Sequence, residues 1–248
     1  MIPQQLLHYT PAPDLFKDRV ILVTGATGGI GRALSLALAK HGATVVLLDK
    51  VIKTLEKVYD EIEAEGGPQP GIYPMNLEGA TAKDYQDLAE NLGNEFGRLD
   101  GLVHNAGWVG ALTPVKLYDL EMWARVITVN LHATFLLTQA TLPLLEKAAD
   151  PAIVFSTQDC QRAYWGAFGV AKAGQRGLLD ILAAEYQGAR RIRVNGVDTG
   201  PVQSQLRADH YPGEDPTQHP EPAEVIGPYL YLLGPDAGET TGQNLKLA

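Results

Sequence analysis

Val20-Ile21-Leu22-Val23 runs straight into Thr24-Gly25-Ala26-Thr27-Gly28-Gly29-Ile30-Gly31, and this junction decides the fold. A short β-branched run without alternation suits a strand buried on both faces of a parallel sheet. The glycine-rich turn after it opens a helical stretch at about 30–41. Glycines in such a turn let the backbone approach a pyrophosphate, whose charge meets the amides and positive dipole of the helix N-terminus. The spacing is Gly-x-x-x-Gly-x-Gly instead of the commoner Gly-x-Gly-x-x-Gly. A bulky residue at Gly29 is expected to fill pyrophosphate space. A tight turn without a ligand is the plainer reading of the glycines alone, and the flanking strand and helix weigh against it.

Working outward, short apolar runs recur at 45–48, 99–104, 152–155 and 192–197. Helical stretches fall between and after them at about 52–64, 82–96, 120–147 and 170–186. Strands spaced by helices imply right-handed βαβ crossovers and a doubly wound sheet. Gly66-Gly67-Pro68-Gln69-Pro70-Gly71 is too short for a linker and reads as a turn before a third strand. The irregular stretch 199–222, with Tyr211-Pro212-Gly213 and Pro220-Glu221-Pro222, has the length of a lid over a site. The expectation is one α/β domain over residues 1–248, a Rossmann fold with helices on both faces of its sheet.

Composition excludes several classes. The 248 residues carry 20 basic and 29 acidic side chains, a net charge of −9, which argues against nucleic acid or an anionic membrane as partner. No apolar run approaches the ~18 residues of a membrane span. The first residues show neither a basic nor a long apolar leader segment, so no signal peptide is expected. Cys160 is the single cysteine, which leaves no internal disulfide and makes the cytoplasm the expected location. No metal site is expected.

Asp49 follows the second apolar run, 18 residues after Gly31, where a carboxylate can accept hydrogen bonds from an adenosine ribose. A carboxylate there repels a 2′-phosphate and Gly28 supplies no positive charge, so NAD is expected over NADP. Lys50 opposes this, because a cation can pair with that phosphate. Asp49 also reads as an N-cap of the next helix.

With four further segments, these residues resemble the short-chain dehydrogenase/reductase family over nearly the whole chain, in wording closest to bacterial YciK-like oxidoreductases. The glycine turn is similar to its cofactor signature. His104-Asn105-Ala106-Gly107 resembles its Asn-Asn-Ala-Gly segment, with His for the first Asn. Asn130 matches the helix Asn that holds a water in a proton relay. Gly166-Ala167-Phe168-Gly169-Val170-Ala171-Lys172 is similar to the Tyr-x-x-x-Lys region. The resemblance implies a seven-stranded parallel sheet in the order 3-2-1-4-5-6-7 and a homodimer or homotetramer paired through the two long helices. It also implies cofactor contacts from Thr24, Gly25, Thr27, Gly28, Gly29, Ile30, Gly31 and Asp49. Further contacts are implied from Asn76, Leu77, Asn105, Ala106, Gly107, Lys172, Val202 and Ser204.

Four departures from the family pattern stand out. Phe168 occupies the tyrosine position. The serine position is open: counting back from Phe168 reaches the region of Ser156, whereas counting forward from Ile153 reaches Thr157 or Gln158, and Ser156 is the candidate. Asn76 stands where an Asp contacts adenine. Asp198-Thr199-Gly200-Pro201 replaces an Asn-Pro-Gly run near the nicotinamide, while Val202 and Ser204 keep the carboxamide-contact positions.

In the family, the tyrosine hydroxyl moves a proton while hydride passes between nicotinamide and a carbonyl or alcohol carbon. The lysine lowers the tyrosine pKa and holds the nicotinamide ribose. Phe168 exchanges no proton. The expected function is an NAD(P)-dependent oxidoreductase of an alcohol or carbonyl small molecule, with Asn130, Ser156 and Lys172 as its remaining catalytic set. The alternative is a dinucleotide-binding protein without turnover, serving assembly or sensing. Tyr164 reads as a substitute hydroxyl or a surface tyrosine. Trp108, Trp165 and Tyr211 read as cleft walls or as ordinary packing, and His104 as a hydrogen-bonding group at the sheet end.

Overall fold

The computed structural model describes residues 3–188 and 191–247. In chain order the elements begin α1 (Gln4–Leu7), β1 (Val20–Thr24), α2 (Gly29–Lys40), β2 (Thr44–Asp49), α3 (Ile52–Ala64) and β3 (Gly71–Pro74). They continue with α4 (Ala82–Phe96), β4 (Gly101–His104), α5 (Leu120–Ile127), α6 (Ala133–Leu145) and β5 (Ala152–Ser156). The last are α7 (Gly166–Glu185), β6 (Arg193–Asp198), α8 (Gln205–His210), α9 (Gly227–Leu233) and β7 (Asn244–Lys246). The strands form one seven-stranded sheet in the order β3-β2-β1-β4-β5-β6-β7, parallel throughout.

The unalternated apolar runs are explained by burial on both sides. Ile21, Val23, Val45, Leu47, Val103 and Val154 face Leu34 and Leu38 of α2, Leu55 and Val58 of α3, and Tyr229 and Leu233 of α9. Their neighbours Val20, Leu22, Val46, Leu48, Leu102, Ile153 and Phe155 face Tyr85 and Leu88 of α4, Leu137 of α6 and Leu179 of α7. A period of two thus divides each strand between two helical layers. Because β1 pairs with both β2 and β4, the chain winds outward in opposite directions from that pair. The crevice at their carboxyl ends is where an open α/β sheet binds ligands. Arg193 of β6, 1% exposed, ties this half to α9 through Asp150 and the Leu232 and Gly234 carbonyls. Among the described residues, no helix is long and apolar enough to cross a membrane.

Two helices differ from expectation. The stretch 120–147 is interrupted by a π-helical turn, Thr128–His132. Inside that turn the Asn130 amide donates back to the Val126 carbonyl at 2.8 Å, and Thr134 Oγ1 donates to the Asn130 carbonyl at 2.8 Å. Such turns recur at functional sites. Helix α7 begins at Gly166, four residues before the expected start, after Tyr164 and Gly166 take φ values of 74° and 40°. Phe168 therefore lies in the first turn of α7. The irregular stretch 199–222 contains α8 and a 3-10 turn, Pro216–Gln218, and overhangs the crevice.

Candidate active site

The crevice is a cleft of about 530 Å³, within the range of small-molecule and cofactor sites. Its floor is braced at the carboxyl ends of β1 and β4. Thr24 Oγ1 donates to the Val103 carbonyl and accepts from the Asn105 and Ala106 amides at 3.0 Å. Asn105 Nδ2 donates to the Thr24 and Gly25 carbonyls. Thr24 and Gly31 lie behind the wall and shape the turn, whereas Gly25, Thr27, Gly28, Gly29 and Ile30 line the cleft. Gly28 is the N-cap of α2 and offers no side-chain cap, so the first-turn amides are left for an anion. This arrangement fits a pyrophosphate. At Gly29, a Cβ would meet Pro222 Cγ at 3.1 Å and Ser204 Cβ at 3.4 Å, so a side chain there would press on the overhanging segment.

At the outer end, Asp49, Lys50, Asn76, Leu77 and the Arg125–Glu78 ion pair line the cleft. Asp49 is not the N-cap of α3, which is Val51. Its Oδ2 accepts from the Thr27 amide and hydroxyl at 3.2 and 2.7 Å, and its Oδ1 accepts from the Lys50 amide. Three donors thus fix the carboxylate at the sheet edge. Asn76 Oδ1 accepts from the Glu78 amide, leaving its NH₂ group for a ligand.

Ala106, Gly107, Val202 and Ser204 join Trp108, Trp165, Phe168, Lys172 and Tyr211 toward the inner end. Ser204 also caps α8 by accepting from the Arg207 amide at 3.2 Å. Lys172 Nζ donates to the Ser156 carbonyl at 2.7 Å and stands 5.5 Å from the Phe168 ring centroid. Phe168, 2% exposed, leans on Trp165 at 5.8 Å between ring centroids.

Two candidate residues are placed differently from their expected roles. Ser156 lines the cleft, but its hydroxyl is held by Asn105 Oδ1 at 3.2 Å and by the Tyr229 hydroxyl at 2.9 Å. Asn130 is fully buried and does not line the cleft. Its side chain bonds the Trp108 amide and carbonyl and the Val126 carbonyl, while its own carbonyl accepts from Gln175 Nε2 and Thr134 Oγ1. These bonds make it a brace for the Trp108 loop.

Thr157 is committed to Asn244, and Gln158 lines the cleft beyond it. His104 bonds Thr138, and burial, helped by the Lys172 charge, pushes its pKa down to about 3, so the imidazole is neutral. Tyr164 is 59% exposed and stands outside the cleft wall. Tyr229, Leu206 and His210 line the cleft and were not anticipated, because α8 and α9 reach it only through long-range packing.

The model of the family described as short chain dehydrogenase matches residues 19–215. The chain belongs to the short-chain dehydrogenase/reductase family of oxidoreductases. The uncharacterized oxidoreductase YciK of Escherichia coli K12 is 40% identical to it over 239 residues, 95% of this chain and 94% of that protein. A solved structure from Pseudomonas syringae shares 45% identity at a TM-score of 0.94, covering 96% of this chain and 98% of that one. A solved chain from E. coli CFT073, complexed with NADPH, shares 40% identity at a TM-score of 0.91, covering 95% of this chain and 99% of that one.

Proposed function

We propose that this protein is an NAD(P)-dependent oxidoreductase of an alcohol or carbonyl small molecule, working in the cytoplasm, whose acid–base step is altered by Phe168. One observation carries the reading: the glycine turn, Asp49, Asn105 and Lys172 meet in a single cleft with Phe168 beside the lysine. When bound, the nicotinamide supplies or accepts a hydride. The first-turn amides of α2 hold the pyrophosphate, Asp49 accepts from the adenosine ribose, and Lys172 donates to the nicotinamide ribose. Trp108, Trp165 and Phe168 keep water from the reacting carbon. Loss of a positioned general acid typically costs roughly 10²–10⁴ in rate, so turnover is slow while cofactor binding is retained. Tryptophan fluorescence with each reduced cofactor, followed by turnover on a panel of apolar ketones and aldehydes, tests this reading. The commitment of Ser156 and Asn130 to internal bonds favours a second reading, a dinucleotide-binding protein without turnover. Cofactor binding with no product on any substrate selects that second reading.

The choice of cofactor has support on both sides. The relative complexed with NADPH weighs toward NADP(H), against the expectation of NAD, and Lys50 in the outer lining agrees with it. The fixed carboxylate of Asp49 is the reason to retain NAD(H) in the proposal. Two unit charges about 6 Å apart interact by roughly 0.7–2.8 kcal/mol at an effective dielectric of about 80–20. Asp49→Asn keeps an acceptor for Thr27 and removes the charge. It is expected to improve NADPH affinity relative to NADH by about tenfold, read by calorimetric titration of both cofactors. An unchanged ratio contradicts the role given to the carboxylate.

A homodimer or homotetramer belongs to the same proposal. Phe135 of α6 and Val170 and Ile181 of α7 are exposed apolar side chains on the helices expected to pair. Light scattering at micromolar concentration is expected to give at least twice the chain mass, and a strictly monomeric mass contradicts the pairing.

A further inference from the structure

The inner end of the cleft holds a buried cation beside a ring that has no hydroxyl. Lys172 is 5% exposed, and the Ser156 carbonyl is the one hydrogen-bond acceptor of its ammonium among the described residues. No carboxylate pairs with it there. The groups facing it are Cys160, from the loop after β5, Asp198 at the end of β6 and His104 at the end of β4. The Asp198 oxygens accept from the Asp159 and Gly200 amides. Burial pushes the Cys160 thiol up to about 11, and His104 is neutral. Burial also pushes the Lys172 ammonium down to about 8, with Cys160 and Asp198 opposing.

Of the other proton-bearing side chains near this end, the Tyr118 hydroxyl packs with Trp165 and Phe168 without a hydrogen-bond partner but does not line the cleft. Tyr229, Thr157, Asn130, His210 and Tyr211 are engaged. The Tyr229 hydroxyl is bonded to Ser156, and burial pushes its pKa up. Thr157 donates to Asn244, and Asn130 has no free donor. Both ring nitrogens of His210 face carbonyls, those of Leu206 and Gly110. Tyr211 lies beneath the Arg207 guanidinium, 3.6 Å from its ring centroid.

We infer that the Lys172 ammonium is itself the general acid of this enzyme, giving its proton to the substrate carbonyl oxygen in place of the hydroxyl that Phe168 lacks. The inference rests on the oxidoreductase reading above. In reduction, the carbonyl carbon gains an electron pair as hydride from the reduced nicotinamide dinucleotide, which is oxidised. The C=O π pair moves to oxygen, an N–H bond of Lys172 breaks, and an O–H bond forms. The neutral amine then regains a proton from water at the cleft mouth.

The test compares wild type with Lys172→Arg, which keeps a cation for the ribose but does not release a proton in the working range. In wild type, kcat for ketone reduction is expected to fall as pH rises through about 8, because the protonated form is the active one. Lys172→Arg is expected to lower kcat by at least ~100-fold and remove the ionisation, with cofactor affinity held within a few-fold. A readout independent of turnover is the Nζ resonance of [¹⁵N]lysine-labelled protein, assigned by its absence from Lys172→Arg and expected to titrate near pH 8. A wild-type kcat without that ionisation, or a Lys172→Arg variant keeping more than a tenth of the rate, overturns the assignment while the oxidoreductase reading stands. Cofactor binding with no turnover in wild type overturns both.

Discussion

Phe168→Tyr is expected to raise carbonyl reduction by roughly tenfold, short of the ~10²–10⁴ of a general acid added to a site without one, because Lys172 already supplies a proton. Phe168 lies in the first turn of α7, one helical turn before Lys172 and on the same helix face. The ring lines the cleft beside an ammonium 5.5 Å from its centroid, so a phenol there gains the neighbour that lowers its pKa. The Ser156 hydroxyl, held by Tyr229 and not free to orient a substrate oxygen, limits the gain further. Steady-state NADH and NADPH oxidation with a ketone panel measures the effect. Combining the change with Lys172→Ala should abolish it. No gain from the single substitution, with folding and cofactor binding intact, would show that the site lacks more than a hydroxyl.

Gly31→Ala should abolish binding of either cofactor, a loss above ~100-fold, and destabilise the fold by about 3 kcal/mol, the upper part of the usual range for overpacking. A Cβ at Gly31 would lie 2.0 Å from the Gly25 carbonyl oxygen and 2.7 Å from Asn105 Nδ2. Those two atoms are bonded to each other at 3.2 Å, so the methyl wedges apart the link that holds the glycine turn to the end of β4. The neighbour at fault is backbone and cannot swing aside. Gly79→Ala, whose Cβ meets nothing within 4 Å, serves as the control and should leave binding unchanged. Denaturant unfolding and fluorescence titration read both effects. Wild-type affinity in Gly31→Ala contradicts the placement of the pyrophosphate at this turn.

The sheet and its crevice were legible because their causes are local. Runs such as 20–23 and 45–48 are apolar at every position, which only a strand covered on both faces requires, and the layers on either side of β1 bear this out. The cofactor half of the cleft was legible for the same reason: glycines at one turn and an acid at the end of the next strand suffice to describe it. The catalytic half depends on contacts between distant segments. Tyr229 meets Ser156 from 73 residues away, and Gln175 fills the Asn130 carbonyl from 45 residues away. No local spacing announces either bond, and together they engage two groups, the Ser156 hydroxyl and the Asn130 carbonyl, at positions that motif matching places in the chemistry. The π-helical turn at Thr128–His132 is similarly invisible to periodicity, since it shifts the phase of an apolar stripe that reads as continuous.

Hydride transfer in a cleft where Phe168 stands beside Lys172 is tested most directly by its product. Wild-type protein should be incubated with an apolar cyclic ketone and NADH or NADPH carrying deuterium at both C4 positions, and the alcohol analysed by mass spectrometry. The account predicts an alcohol with one deuterium on its carbinol carbon, formed slowly and at a rate that falls above pH of about 8. Alcohol without deuterium, or no alcohol from protein shown to bind the cofactor, contradicts it.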